Sequence, residues 1–418
     1  MKTNKITRCI FLSIFLFPLF SIAQVGKIDS SEMVTIRLDP QSARGATVSQ
    51  IFDEVKFVPL ETTKESLFGQ IGQFKLVNNS YLIYDYDTKA LLIFNTEGKF
   101  LVKIDATKLQ SSKDDKEKAQ FYGFTSDKID GKDFIVIYTP NNVQYFDFKG
   151  NYIKKVSNKD FKFNNNIKFK DGDTEVKTRQ WVKDGKDSTF YKLMLYHPKT
   201  KDSVAYFVDD ENKYDKDDWY GDEGFTKYAD NAGFFVNFYD YNLYKVTPNK
   251  VSLAYNFIFP ALNTITKDFI TNPLYIKKRQ DYFDKNRKVF YGLGNCYLMG
   301  ENLFLKLSTG YWNKDQKKSL IYNVKTAELT SFQDIEPDSL SSFLPITDSG
   351  FSYEFEGRGF SAFEDGKFYT SYSSLAAFTF KERIADKKVN YPPLLANYFK
   401  TGDRKSNPIL IILTPKKN

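Results

Sequence analysis

The 418 residues include one histidine and two cysteines, and that scarcity excludes a good deal. Ser-His-Asp and Cys-His catalysis require an imidazole base, and zinc sites are usually assembled from His and Cys. Only His197 and Cys296 are on offer once Cys9, inside an N-terminal leader, is set aside. With one cysteine left, no intramolecular disulfide can form. No Gly-rich loop of the Walker type occurs, which argues against nucleotide chemistry. No apolar run reaches the roughly 20 residues that a bilayer core demands. Lys and Arg, 60 in all against 52 Asp and Glu, are interspersed with the acids rather than clustered, so the chain shows no nucleic-acid footprint.

What is present starts with an export leader. Lys2, Lys5 and Arg8 form a basic start, Ile10 to Phe20 an apolar stretch, and Ser21-Ile22-Ala23 a small-residue cleavage site. This reads as a signal peptide over 1–23 with Gln24 as the mature N-terminus. No cysteine follows the apolar stretch, so a periplasmic or secreted protein is expected and a lipoprotein is not. Removing the leader lowers the formal net charge from +8 to +5. Without disulfides, stability must come from a core, and 40 Phe with 28 Tyr supply ample material for one. Such residues favour pleated, half-buried strands.

A repeat organises the rest. Phe94-Asn95-Thr96-Glu97-Gly98-Lys99-Phe100-Leu101 aligns with Phe146-Asp147-Phe148-Lys149-Gly150-Asn151-Tyr152-Ile153. In both, an apolar strand ends at an aromatic, Asn or Asp opens a turn, and Gly closes it three residues later, the preferences of a type I turn. Weaker copies begin at Tyr196-His197-Pro198, Tyr244-Lys245-Val246 and Tyr322-Asn323-Val324, so the aromatic anchors fall at 94, 146, 196, 244 and 322. A sixth unit is expected over Phe360 to Ile384, with strands at Phe368–Tyr372 and Phe378-Thr379-Phe380. A period of roughly 50 residues with high strand content marks propeller blades, none of which can bury its apolar faces alone. The fold expected is all-β: a six-bladed β-propeller of four-stranded antiparallel blades over residues 50–418, following an N-terminal extension over 24–49.

The 78-residue interval from 244 to 322 leaves room for an insertion near 261–288, with Thr266 to Ile270 opening a helix. Two charged stretches, Ser111 to Ala119 and Asp209 to Glu223, read as solvated loops. Ring closure is expected in the last blade, where Pro408 to Leu413 at the C-terminal end pairs with an N-terminal strand such as Val55 to Leu60, because a propeller leaves no open seam only if its ends meet.

Several segments resemble the exported bacterial six-bladed β-propellers related to NHL and TolB-like propellers, a largely uncharacterised family. They are Phe57-Val58-Pro59-Leu60-Glu61-Thr62-Thr63, Tyr81-Leu82-Ile83-Tyr84-Asp85 leading to Leu92 through Phe100, Tyr239 through Val246, and Asn407-Pro408-Ile409-Leu410-Ile411. The resemblance implies fold and compartment, and it implies no reaction.

The residues themselves offer no catalytic centre. His197 occupies the turn slot held elsewhere by Asn95, Asp147 and Asn323, so a turn-capping imidazole is expected. Cys296 reads as a buried small hydrophobe. Glycoside hydrolysis needs only two carboxylates, and Asp85, Asp87, Asp240, Glu354 and Glu356 are the candidates. Calcium is the one metal that oxygen ligands alone could hold, from Asp171 to Glu175 or the Asp209 to Glu223 loop. Neither matches an EF-hand, so no metal site and no cofactor is assigned. The three tryptophans lie among polar residues in expected inter-strand loops, where an indole can stack on a sugar ring or anchor a protein. The ligand-binding candidates are Trp219 with Tyr220, Tyr311 with Trp312, and Arg179 with Trp181. These readings point to a monomeric, non-catalytic binding protein of the bacterial periplasm or envelope that engages a glycan or an envelope protein through loops on one propeller face. The alternative is a carboxylate-dependent polysaccharide hydrolase or lyase.

Overall fold

A computed structural model describes residues 24–110, 122–159, 167–184, 187–209, 224–310, 315–347, 360 and 362–417. The leader lies outside them. Six sheets follow one another along the chain. Blade 1 consists of Gln73–Val77, Ser80–Asp85, Ala90–Asn95 and Phe100–Ile104, and blade 2 of Gly123–Ile129, Lys132–Tyr138, Asn142–Phe146 and Tyr152–Ser157. Blade 3 holds Ile167–Lys168, Glu175–Asp184, Asp187–His197 and Asp202–Asp209, and blade 4 holds Gly224–Ala229, Ala232–Val236, Asn242–Val246 and Val251–Ile258. Phe290–Met299, Asn302–Thr309, Ser319–Asn323 and Leu329–Glu336 form blade 5. In each the four strands meander outward antiparallel.

Blade 6 closes the ring as the sequence implies. Its order is Phe363–Glu364, Lys367–Tyr372, Ile409–Pro415 and then Phe52–Pro59, with Ile411 opposite Phe57 and Ile409 opposite Pro59. Asn407 locks this seam. Its side chain donates to the carbonyls of Glu61 (2.8 Å) and Ser66 (2.9 Å) and accepts from the Phe68 N–H (3.1 Å).

The core sits between blades, which explains the run Ser80–Asp85, where every residue is buried. Side chains alternate across a strand. Tyr81 and Ile83 pack toward blade 6 with Val58, Leu410 and Tyr369, while Leu82 and Tyr84 pack toward blade 2 with Phe124, Ile135 and Phe146. Each sheet thus has two apolar faces, and only a ring of sheets covers both.

The repeated turns join the third and fourth strands. Asn95 Oδ1 accepts from the N–H groups of Glu97 (3.0 Å) and Lys99 (2.9 Å), Asp147 Oδ1 from Lys149 and Asn151, and Asn323 Oδ1 from Lys325 and Thr326. Gly98 holds φ +81°, and a Cβ there would meet the Pro59 carbonyl at 2.3 Å, so only glycine lets this turn rest on the closing strand. His197 departs from the expected cap. Its Nδ1 hydrogen-bonds Thr174 Oγ1 at 3.3 Å, because the imidazole reaches across to the turn that precedes the neighbouring strand, whereas the shorter Asn and Asp side chains fold back on their own turn.

Two expectations fail. Phe378-Thr379-Phe380 lies in a helix, Ser374–Arg383, not a strand; Ser373 caps it by accepting from the Ala376 N–H at 3.2 Å. A second helix, Pro393–Thr401, follows before the closing strand. In the insertion, Thr266 to Ile270 forms turns, and the helix begins later, at Arg279–Lys285. There Phe269 and Phe283 pack with Tyr239 around the fully buried Arg279, whose guanidinium lies 5.7 Å from the Phe269 ring.

The N-terminal extension is a strap. Gln24–Val25 pairs parallel with the outer strand of blade 3, Val34–Arg37 with that of blade 4, and Arg44–Thr47 with that of blade 5, before the chain enters blade 6. It turns three blades into five-stranded sheets and covers their outer edges, one remedy for unpaired backbone groups.

Candidate functional site

Of the six sequence-predicted ligand residues, Trp219, Tyr220, Tyr311 and Trp312 lie outside the described residues. Arg179 and Trp181 lie in the second strand of blade 3, where a loop was expected. That strand and the next run 10 and 11 residues, against 5 to 7 for the second and third strands of blades 1 and 2. The excess projects as a ribbon. Its ladder is interrupted where Arg179 (φ +57°) and Phe207 (φ +56°) adopt left-handed backbone on either side of Lys192. Non-glycine residues held there cost roughly 1–2 kcal/mol each, and such costs collect at functional positions.

Beyond the break, Trp181 pairs across the ribbon with Phe190, their rings 5.2 Å apart. Phe190 is buried and Trp181 is 53% exposed, so the indole is held from one side and presented on the other. The Arg179 guanidinium lies 5.7 Å from the Phe190 ring. At the break itself the buried Lys192 donates to Asn237 Oδ1 of blade 4 at 2.8 Å, tying the ribbon's base to its neighbour.

The described carboxylate candidates fall at two places, in blades 1 and 4. Asp85 and Asp87 belong to the blade 1 turn, where Asp85 Oδ2 accepts from the Thr88 N–H (3.0 Å) and Oγ1 (2.7 Å). Asp240 belongs to blade 4, across the ring, and accepts from Tyr244 Oη at 2.9 Å and the Asn242 N–H at 3.0 Å. Burial pushes its carboxyl above the ordinary range despite those donors. Glu354 and Glu356 lie outside the described residues. Asp171 caps its own turn, accepting from Asp173 and Thr174. Cys296 is fully buried, and burial pushes its thiol up to about 12.

A concavity on the inner strands escaped sequence reasoning. The inner strands of blades 3 to 6 border an open concavity of about 650 Å³ near the ring axis, lined by Lys227 and Tyr228 of blade 4, Asn295 and Tyr297 of blade 5, and Phe363 and Glu364 of blade 6. Its mouth lies among the turns between first and second strands, which alternation of strand direction places on the face opposite the Trp181 ribbon. Burial pushes the Glu364 carboxyl up, partly offset by the Lys75 ammonium, and pushes Lys75 down, partly offset by Glu364.

The sequence model of one family, described as a domain of unknown function (DUF4934), matches residues 33–414. The chain belongs to that family. The match takes in all six blades of this DUF4934 protein and the strap from Met33 onward. Among solved structures it is similar to a protein described as exported from Bacteroides fragilis, at 15% identity and a TM-score of 0.56, covering 92% of this chain and 100% of that one. At that identity the likeness shows the fold alone. A member of the DUF4221 family from Bacteroides vulgatus also matches, at 10% identity and a TM-score of 0.36, covering 87% of this chain and 97% of that one. No curated protein matches. Among the described residues, no helix is long and apolar enough to cross a membrane.

Proposed function

We propose that this DUF4934 protein is an exported, monomeric, non-catalytic binding protein of the bacterial periplasm or envelope, and that it engages a glycan through the blade 3 ribbon. The observation that carries the reading is the exposed Trp181 ring seated on Phe190 beside Arg179. A sugar ring offers axial C–H groups to an aromatic face and hydroxyls to a guanidinium, and a pre-seated indole loses little freedom on binding. The leader over 1–23 supports export, and the absence of a cysteine after its apolar stretch supports a protein without a lipid anchor.

The test is a glycan array probed with the mature protein and with Trp181→Ala. Loss of one aromatic anchor is expected to weaken binding by roughly tenfold or more, with folding unchanged by circular dichroism. Undiminished binding by the variant sinks the ribbon assignment. New reducing ends or unsaturated products in the same mixtures sink the non-catalytic reading.

A further inference from the structure

The axial cavity has charged groups of both signs and little to satisfy them. Glu364 and Lys227 stand on blades 6 and 4, with blade 5 between, and both line the same space. Among the described residues, Glu364 makes no hydrogen bond or ion pair, and the one hydrogen bond of the Lys227 ammonium goes to the Lys168 carbonyl at 2.8 Å. Of the other charges nearby, Asp230 is held by Lys170 at 2.8 Å, Asp365 sits exposed at the turn, and Lys75 lies on the blade 1 strand beyond Glu364. Between the two charges the wall is Tyr228, Tyr297, Phe363 and the Asn295 amide. Lys75 acts on Glu364 and Asp230 on Lys227 only through space, with no ion pair at contact among the described residues. Half-buried charges so weakly compensated cost stability, and a site that keeps them apart is suited to a ligand that brings both partners.

We propose that this cavity binds a small zwitterion, a free dipeptide with an aromatic or apolar side chain, its ammonium on Glu364 and its carboxylate on Lys227. A volume of about 650 Å³ falls within the range of small-molecule sites, about 300–1,000 Å³, and the Tyr and Phe wall takes the side chain. The proposal does not rest on the glycan reading, because this mouth opens on the opposite face from Trp181.

Isothermal titration of the mature protein with a panel of free dipeptides such as Ala-Tyr, alongside their N-acetyl and C-amide forms, tests it. Saturable binding is expected for the free forms, and each cap should weaken it by about tenfold, the usual scale for one lost charge-assisted hydrogen bond. Glu364→Gln should abolish the discrimination against the N-acetyl form, and Lys227→Met that against the amide. Trp181→Ala should bind dipeptides unchanged, which separates this outcome from failure of the ribbon reading. The absence of saturable binding across the panel, or equal affinity for capped and free forms, overturns the proposal, and neither result depends on a variant that folds.

Discussion

Two residues show how differently side chains of this protein are employed. Asn407 is fully buried and satisfies three backbone groups on the far side of the ring seam. Asn407→Leu keeps the volume and leaves those groups without partners, so a loss of about 2–4 kcal/mol is expected in denaturant titration. Trp181 is half in water, and Trp181→Ala should cost well under half as much in the same titration while weakening glycan binding. Equal losses would mean that the indole serves packing. The sequence singles out both residues, although it places Trp181 in a loop and the structure places it in a strand. Asn407 stands in a segment of the family resemblance, and Trp181 stands among polar neighbours. It did not expose Lys227 and Glu364, which are separated by more than 130 positions and converge only because blades 4 and 6 flank the same axis.

At the scale of elements, turns were legible and edges were not. Asn95, Asp147 and Asn323 declare their turns because the chemistry is local, a side chain accepting from N–H groups two to four residues ahead. Phe378-Thr379-Phe380 misled because its alternation imitates a strand, while the cap at Ser373 that decides for helix lies five residues upstream. The strap left still less trace. Its strands are two to four residues long, carry no turn signal, and pair with partners some 180 to 290 positions away. Deleting residues 24–47 should therefore leave the blades formed yet lower the melting temperature and promote self-association, since three outer edges lose their cover. Calorimetry with light scattering checks this, and a deletion variant that melts like the full mature chain would show the strap to be dispensable.

For the whole molecule, the repeat period was enough to read the ring, and burial sets its response to alkali. Tyr81, Tyr84, Tyr138 and Tyr145 are each pushed up by burial to about 12 from an ordinary 10.0, and Cys296 to about 12 from 9.0. These groups lose their protons at pH 9 to 10 when unfolded and keep them to about 12 when folded. Through that window the native state binds more protons, so stability falls as pH rises. Unfolding is expected to begin above pH 10 and to coincide with the tyrosinate absorbance band of the buried rings. A band that rises in full before any loss of circular dichroism would contradict this.

The seam also dictates an order of events. Asn407 meets Thr62 across 345 positions of chain, and contacts so distant form late. The strand Phe52–Pro59 leaves the ribosome before any complete blade, yet it has no seat until Ile409–Pro415 arrives, whereas the strap ahead of it finds its partners earlier, on the outer strands of blades 3 to 5. That one strand near the start of the chain thus waits longest for its partner, and the ring stays open until the end of the chain has been made.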